Sequence, residues 1–176
     1  MSGKITDSLG RSSGLVKAVT AAGVDTIWDL QKNGTQSVTD NTSTKVTSFT
    51  SVIDTDSAWD TDNNKIVIPA GKGGYYLVTA ALILEQVSGG NSSMDTYDIA
   101  IFKGGSSLVG QEVRNKVDED SGSIQMSVII ELDAADELEL YHKASAGGGS
   151  TTIRASLAVQ TGIPSTFWSG ARLTSN

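Results

Sequence analysis

The sequence predicts an all-β protein, a sandwich of short antiparallel strands, and three observations lead there. Apolar and polar residues alternate with period 2 in several segments, as half-buried strands require. Glycine is abundant at 19 and proline scarce at 2 among 176 residues. Gly, Ser, Asn and Asp collect between the alternating segments, where they serve as turns. The stretch from Trp59 to Val78, WDTDNNKIVIPAGKGGYYLV, sets a turn, a short strand, a corner and a long apolar strand in immediate succession.

In chain order, Asp60, Asp62, Asn63 and Asn64 form an Asx turn cluster. Ile66, Val67 and Ile68 are stiff at χ1 and favour a strand, which Pro69 ends for want of an N–H. Gly71, Gly73 and Gly74 let the chain reverse before the long run Tyr75 to Leu84. Tyr97, Ile99 and Ile101 share one strand face. Ile124, Met126, Val128, Ile130 and Leu132 share another, as do Leu138 and Leu140, and then Ile153, Ala155, Leu157 and Val159. Loops are read at 88–93, 104–107, 118–122 and 147–150. About eight strands result, near the number in a jelly roll.

The segment Tyr75 to Leu84 is apolar on both faces. Tyr76, Val78, Ala80, Leu82 and Leu84 make one face, and Tyr75, Leu77, Ala81 and Ile83 the other. A strand apolar on both sides needs two covers. The second cover is either the chain's own N-terminal segment or another subunit.

Trp59-Asp60, Ile66-Val67-Ile68-Pro69 and Gly74-Tyr75-Tyr76 together resemble the opening pattern of the C1q/TNF-like jelly roll. Ile129 to Leu140 resembles that family's strand, corner and next strand, with Ala135 where the family usually has Gly. The resemblance spans Val46 to Ile163. It implies an antiparallel jelly-roll sandwich of the C1q/TNF type that forms a homotrimer. The trimer interface it implies uses Tyr75, Leu77, Ala81 and Ile83.

Three segments are therefore expected: an extended N-terminal arm over 1–44, the jelly-roll sandwich over 45–163, and a C-terminal tail over 164–176. The arm's apolar residues are too few for a core and suit docking on another surface. Ile5, Leu9, Leu15, Val16 and Trp28 are the candidate anchors, so Trp28→Ala is expected to weaken attachment and leave the melting temperature unchanged. Gly10 to Ala18, GRSSGLVKA, resembles the N-termini of small virion proteins of tailed bacteriophages, cyanophages among them.

Composition narrows the function. Net charge is −7, and no Lys/Arg cluster is present to neutralise phosphates, so nucleic acid is not an expected partner. There are no cysteines, hence no disulfides and no thiolate metal sites. No start of signal-peptide type is visible, and no apolar run is long enough to insert in a membrane. Catalytic constellations are missing too. The lone histidine, His142, is expected at a surface or interface, and no Lys-Ser/Thr phosphate loop occurs. Asp60 to Asn64 opens like a calcium loop, but Lys65 stands where Gly is required and Gly71 where Glu is required. Asp118-Glu119-Asp120 is read as a solvated acidic loop, the alternative being a calcium site at a trimer apex. No enzymatic activity, no metal and no cofactor are expected.

The expected function is that of a phage virion structural protein. It is a trimeric decoration or head-fibre-type protein, assembled in the host cytoplasm and held to capsid or other virion proteins by its arm. The alternative is a tail-fibre tip or a receptor- or glycan-binding module that contacts a host surface. Aromatic residues are scarce in the long loops, which weighs against a strong glycan site.

Overall fold

A computed structural model describes residues 25–88, 94–119, 121–147, 149–155 and 166–175. These are all strand, turn and connection. In chain order the strands are β1 (Ile27–Lys32), β2 (Gln36–Thr39), β3 (Thr44–Lys45), β4 (Phe49–Asp54), β5 (Trp59–Asp60), β6 (Lys65–Val67) and β7 (Gly74–Ser88). They continue with β8 (Met94–Lys103), β9 (Ser107–Glu119), β10 (Ser121–Leu132), β11 (Glu137–His142), β12 (Ala144–Ser145), β13 (Ser150–Arg154) and β14 (Phe167–Ser175).

Two seven-stranded antiparallel sheets pack face to face. The first runs β2-β13-β7-β14-β1-β4, with β10 on the other side of β7. The second runs β12-β8-β11-β6-β5, with β3 added to β11 and β9 to β8. β7 is the spine of the first sheet. Twelve of its residues pair with β10, from Gly74↔Leu132 to Glu85↔Ser121. On its other side β14 covers Gly74 to Ala81 and β13 covers Ile83 to Ser88. The buried Thr166 bridges the junction: its hydroxyl accepts from the Ile83 N–H at 2.9 Å and donates to the Arg154 carbonyl at 2.5 Å.

The core lies between the sheets. Trp28, Leu30, Tyr76, Val78, Leu82, Leu84 and Ile124 from the first sheet meet Ile66, Ile99, Ile101, Leu138 and Leu140 from the second. Trp168 packs edge-on to Trp59, with centroids 6.2 Å apart, and Phe49 touches both rings. Gly170 faces the Trp28 indole, where a Cβ would come within 2.0 Å of the ring, so only glycine fits there.

The domain limits differ from the expected ones at both ends. β1 and β2 fall in the stretch assigned to the arm, β3 straddles its end, and β14 falls in the stretch assigned to the tail. All four pair inside the sheets. Trp28 is fully buried and tilted against Tyr76 at 5.8 Å, so it is a core residue and not an exposed anchor. The physical reason is alternation: Trp28 and Leu30 point inward while Ile27, Asp29 and Gln31 point outward. Polar flanks hid a strand whose inner face is large. Ile5, Leu9, Leu15 and Val16 lie outside the described residues.

β9 is a second difference, a long strand with no expected counterpart. It runs to Glu119, so Asp118 and Glu119 belong to a strand rather than to a loop, and residue 120 lies outside the described residues. The alternation expected to continue through Leu157 and Val159 also falls outside them.

The two corners match expectation. Asp60 accepts from the Asn63 N–H at 3.0 Å and from its amide at 2.8 Å, closing the Asx turn. At the second corner Ala135 adopts φ +69°, a left-handed conformation that favours glycine. Its N–H still donates to the Ile68 carbonyl at 2.8 Å, and this bond holds the strained residue in place. Ala135→Gly should therefore keep the corner, relieve a penalty of about 1–2 kcal/mol, and lose part of that gain to unfolded-chain entropy. Thermal denaturation should show an unchanged or modestly raised melting temperature.

Candidate functional site

The two outer faces of the sandwich differ in chemistry. On the second sheet Glu137 and Glu139 point away from the core and take Lys65, at 2.6 Å, and Lys45. Lys103 binds Asp136 at the neighbouring corner, 2.5 Å away. These pairs are partly buried, with the Glu139 side chain only 12 % and the Lys65 side chain 18 % exposed, so they pack against the sheet rather than stand free in solvent. Among the described residues, Leu108 and Val113, both in β9, are this sheet's large exposed apolar residues.

The outer face of the first sheet carries apolar and polar rows across the strands. One row runs Ile27–Ala171–Leu77–Ile129 through β1, β14, β7 and β10. The next runs Asp29–Ser169–Thr79–Ser127, a polar belt in which the Thr79 and Ser127 hydroxyls bond at 3.0 Å. The third runs Gln31–Phe167–Ala81–Gln125. Below the belt Tyr75 is 45 % exposed, Leu77 40 %, Leu173 49 % and Ile129 64 %. Above it Ala81 and Ile83 are only 8 % and 6 % exposed. There a depression of about 320 Å³ is lined by Ala81, Ile83, Phe167, Ser123, Gln125 and Arg114. The four residues expected at a trimer interface thus share one face but divide into an open pair and a sheltered pair. Ile129 and Leu173 add to the open pair and were not anticipated.

No protein-family model matches the sequence, and no curated protein matches it. Solved structures do match in shape. Eiger TNF from S. frugiperda superposes with a TM-score of 0.61 at 14% identity, over 86% of this chain and 94% of that one. Murine APRIL at pH 5.0 gives 0.58 at 13% identity, over 84% of this chain and 98% of that one. The globular domain of zebrafish complement 1qA gives 0.57 at 10% identity, over 86% of this chain and all of that one. The fold is the TNF/C1q jelly roll. At these identities the likeness carries the architecture alone.

A polar network gathers at one pole of this jelly roll. The Thr26 hydroxyl donates to Asp56 at 2.7 Å, and Lys72 pairs with Asp56 at 3.0 Å. These partners hold the Asp56 carboxyl below the usual carboxylate range. Arg172 binds Asp25 at 3.1 Å and also donates to the Gly73 carbonyl. The entry of the chain at Asp25, the corner before β7 and the end of β14 are therefore tied together.

Two buried basic groups give the jelly roll a pH dependence. His142 is fully buried rather than at a surface, because Leu138, Leu140 and His142 share the inward parity of β11. Its Nδ1 lies 2.5 Å from the Asp98 carbonyl, and burial lowers its pKa below 6.5. Below pH 6.5 the unfolded chain takes up a proton that the folded chain resists, so stability falls as pH drops through this window. Lys32 is buried as well. Its Nζ donates to the Thr47 carbonyl at 2.7 Å, and burial lowers its pKa to about 8 from 10.5. The sign is the same, with stability rising from about pH 8 to 10.5. Melting temperatures between pH 7 and 5 should fall for the natural sequence and fall less for His142→Gln. Equal slopes would place the acid-sensitive group elsewhere.

Proposed function

We propose that the chain forms a homotrimeric jelly-roll head of a phage particle, a decoration or head-fibre-type structural protein attached through the segment preceding Asp25. The observation that carries self-association is the outer face of the first sheet. It exposes Tyr75, Leu77, Ile129 and Leu173 together, with Leu77 and Ile129 directly opposite each other across β7 and β10. Contiguous exposed apolar surface of this kind marks an association site.

Attachment rests on the likeness of Gly10 to Ala18 to phage virion N-termini, and on the candidate anchors Ile5, Leu9, Leu15 and Val16. Asp25 sits at the pole pinned by Arg172, so in a ring of parallel copies three leading segments would start from one end of the head. Three weak attachments on one body bind with avidity.

A chain starting at Asp25 tests the reading, since the fourteen strands of the described residues lie beyond that point. It should fold and self-associate like the full chain but fail to bind particles that lack the protein. Retained binding would put the contact surface on the head and favour the tip or receptor-binding reading.

A further inference from the structure

We infer that the copies assemble head to tail, with Asp29 of one copy paired to Arg114 of the next. This inference rests on the trimeric reading and specifies its interface. A three-fold ring cannot use one self-complementary patch: each contact joins two different patches, one from each flank of the subunit. The outer face of the first sheet has two such flanks. On one, β1 and β4 carry Asp29 next to Ile53, with Val52 and Ile53 exposed. On the other, the exposed Ile129 of β10 lies on the same side of the sheet as the depression rimmed by Arg114.

Charge complementarity selects the pair. Six lysines and arginines of the described residues are held in ion pairs within the chain. Arg114 meets no carboxylate among the described residues, although it borders an apolar floor. Asp29 is half-buried beside Ser169 and has no polar partner among the described residues. Covering this face with a second copy would strip water from both charges. An unpaired charge in a dry interface is costly, whereas a matched guanidinium and carboxylate is tolerated and orients the partner. Asp29 also ends the belt Ser169–Thr79–Ser127, so its partner would fix the height at which copies meet.

Charge exchange tests the pair. Asp29→Arg and Arg114→Asp should each raise the concentration of half-assembly about 10-fold or more, read by sedimentation equilibrium. The double variant Asp29→Arg/Arg114→Asp should return it to within a few-fold of the natural protein. Melting temperatures of the diluted single variants, close to that of the diluted natural protein, would show that folding is intact. Two outcomes overturn the pair while leaving the trimer standing: single variants that assemble normally, or a double variant no better than either single one. A natural protein that is monomeric throughout would overturn the trimeric reading and this pair with it.

Discussion

Trp28→Ala is expected to destabilise the head by about 3–5 kcal/mol, the usual range for removing a large buried aromatic side chain. At the scale for chains of this size the melting temperature should drop by about 6–20 °C. The loss has two parts. Trp28 is fully buried against Tyr76, so its deletion opens a cavity between the sheets. Gly170 is also left facing empty space that was shaped for the indole. Calorimetry distinguishes this from a docking role for Trp28, in which stability would be untouched and only attachment would suffer.

Ile129→Glu should separate the copies and leave each one folded. Ile129 is 64 % exposed in the single chain, so a charge there meets water and changes stability by no more than about 0.5 kcal/mol. In an assembly that covers the row Ile27–Ala171–Leu77–Ile129, the same charge enters an apolar contact without a partner, and association should weaken by about 100-fold. Ala81→Glu lacks this clarity. Ala81 is sheltered between Phe167 and Gln125, so a carboxylate there disturbs the subunit as well as the contact.

Much of the sandwich is legible in the sequence where local chemistry and tertiary need agree. The Asx turn at Asp60, the Pro69 stop, the double-faced β7 and the alternating β10 all follow from side-chain type and parity. The ends were missed for a shared physical reason. β1 and β14 each present a tryptophan inward amid polar residues, so neither builds a core face alone; the fold supplies that face from β7 and from Phe49 and Trp59. Three tryptophans in a chain with so few aromatics were the available signal. β9 was missed because it is an edge strand that meets the core mainly near Val109 and Gly110, and its sequence, SLVGQEVRNKVDE, shows weak alternation. His142 was misplaced although its parity with Leu138 and Leu140 was visible. The histidine was judged by residue type when strand position was the better guide. At the candidate site, Tyr75 and Leu77 were legible because β7 is apolar on both faces. Ile129 was assigned to a strand but not to the association face, since its place beside Leu77 depends on β7–β10 register.

In solution, the outer face of the first sheet should be covered by other copies of the chain. Sedimentation equilibrium of the purified protein at micromolar concentration tests it most directly. The expected particle is about 55 kDa, three times the 18.3 kDa chain. A single species at the mass of one chain across that range would contradict it.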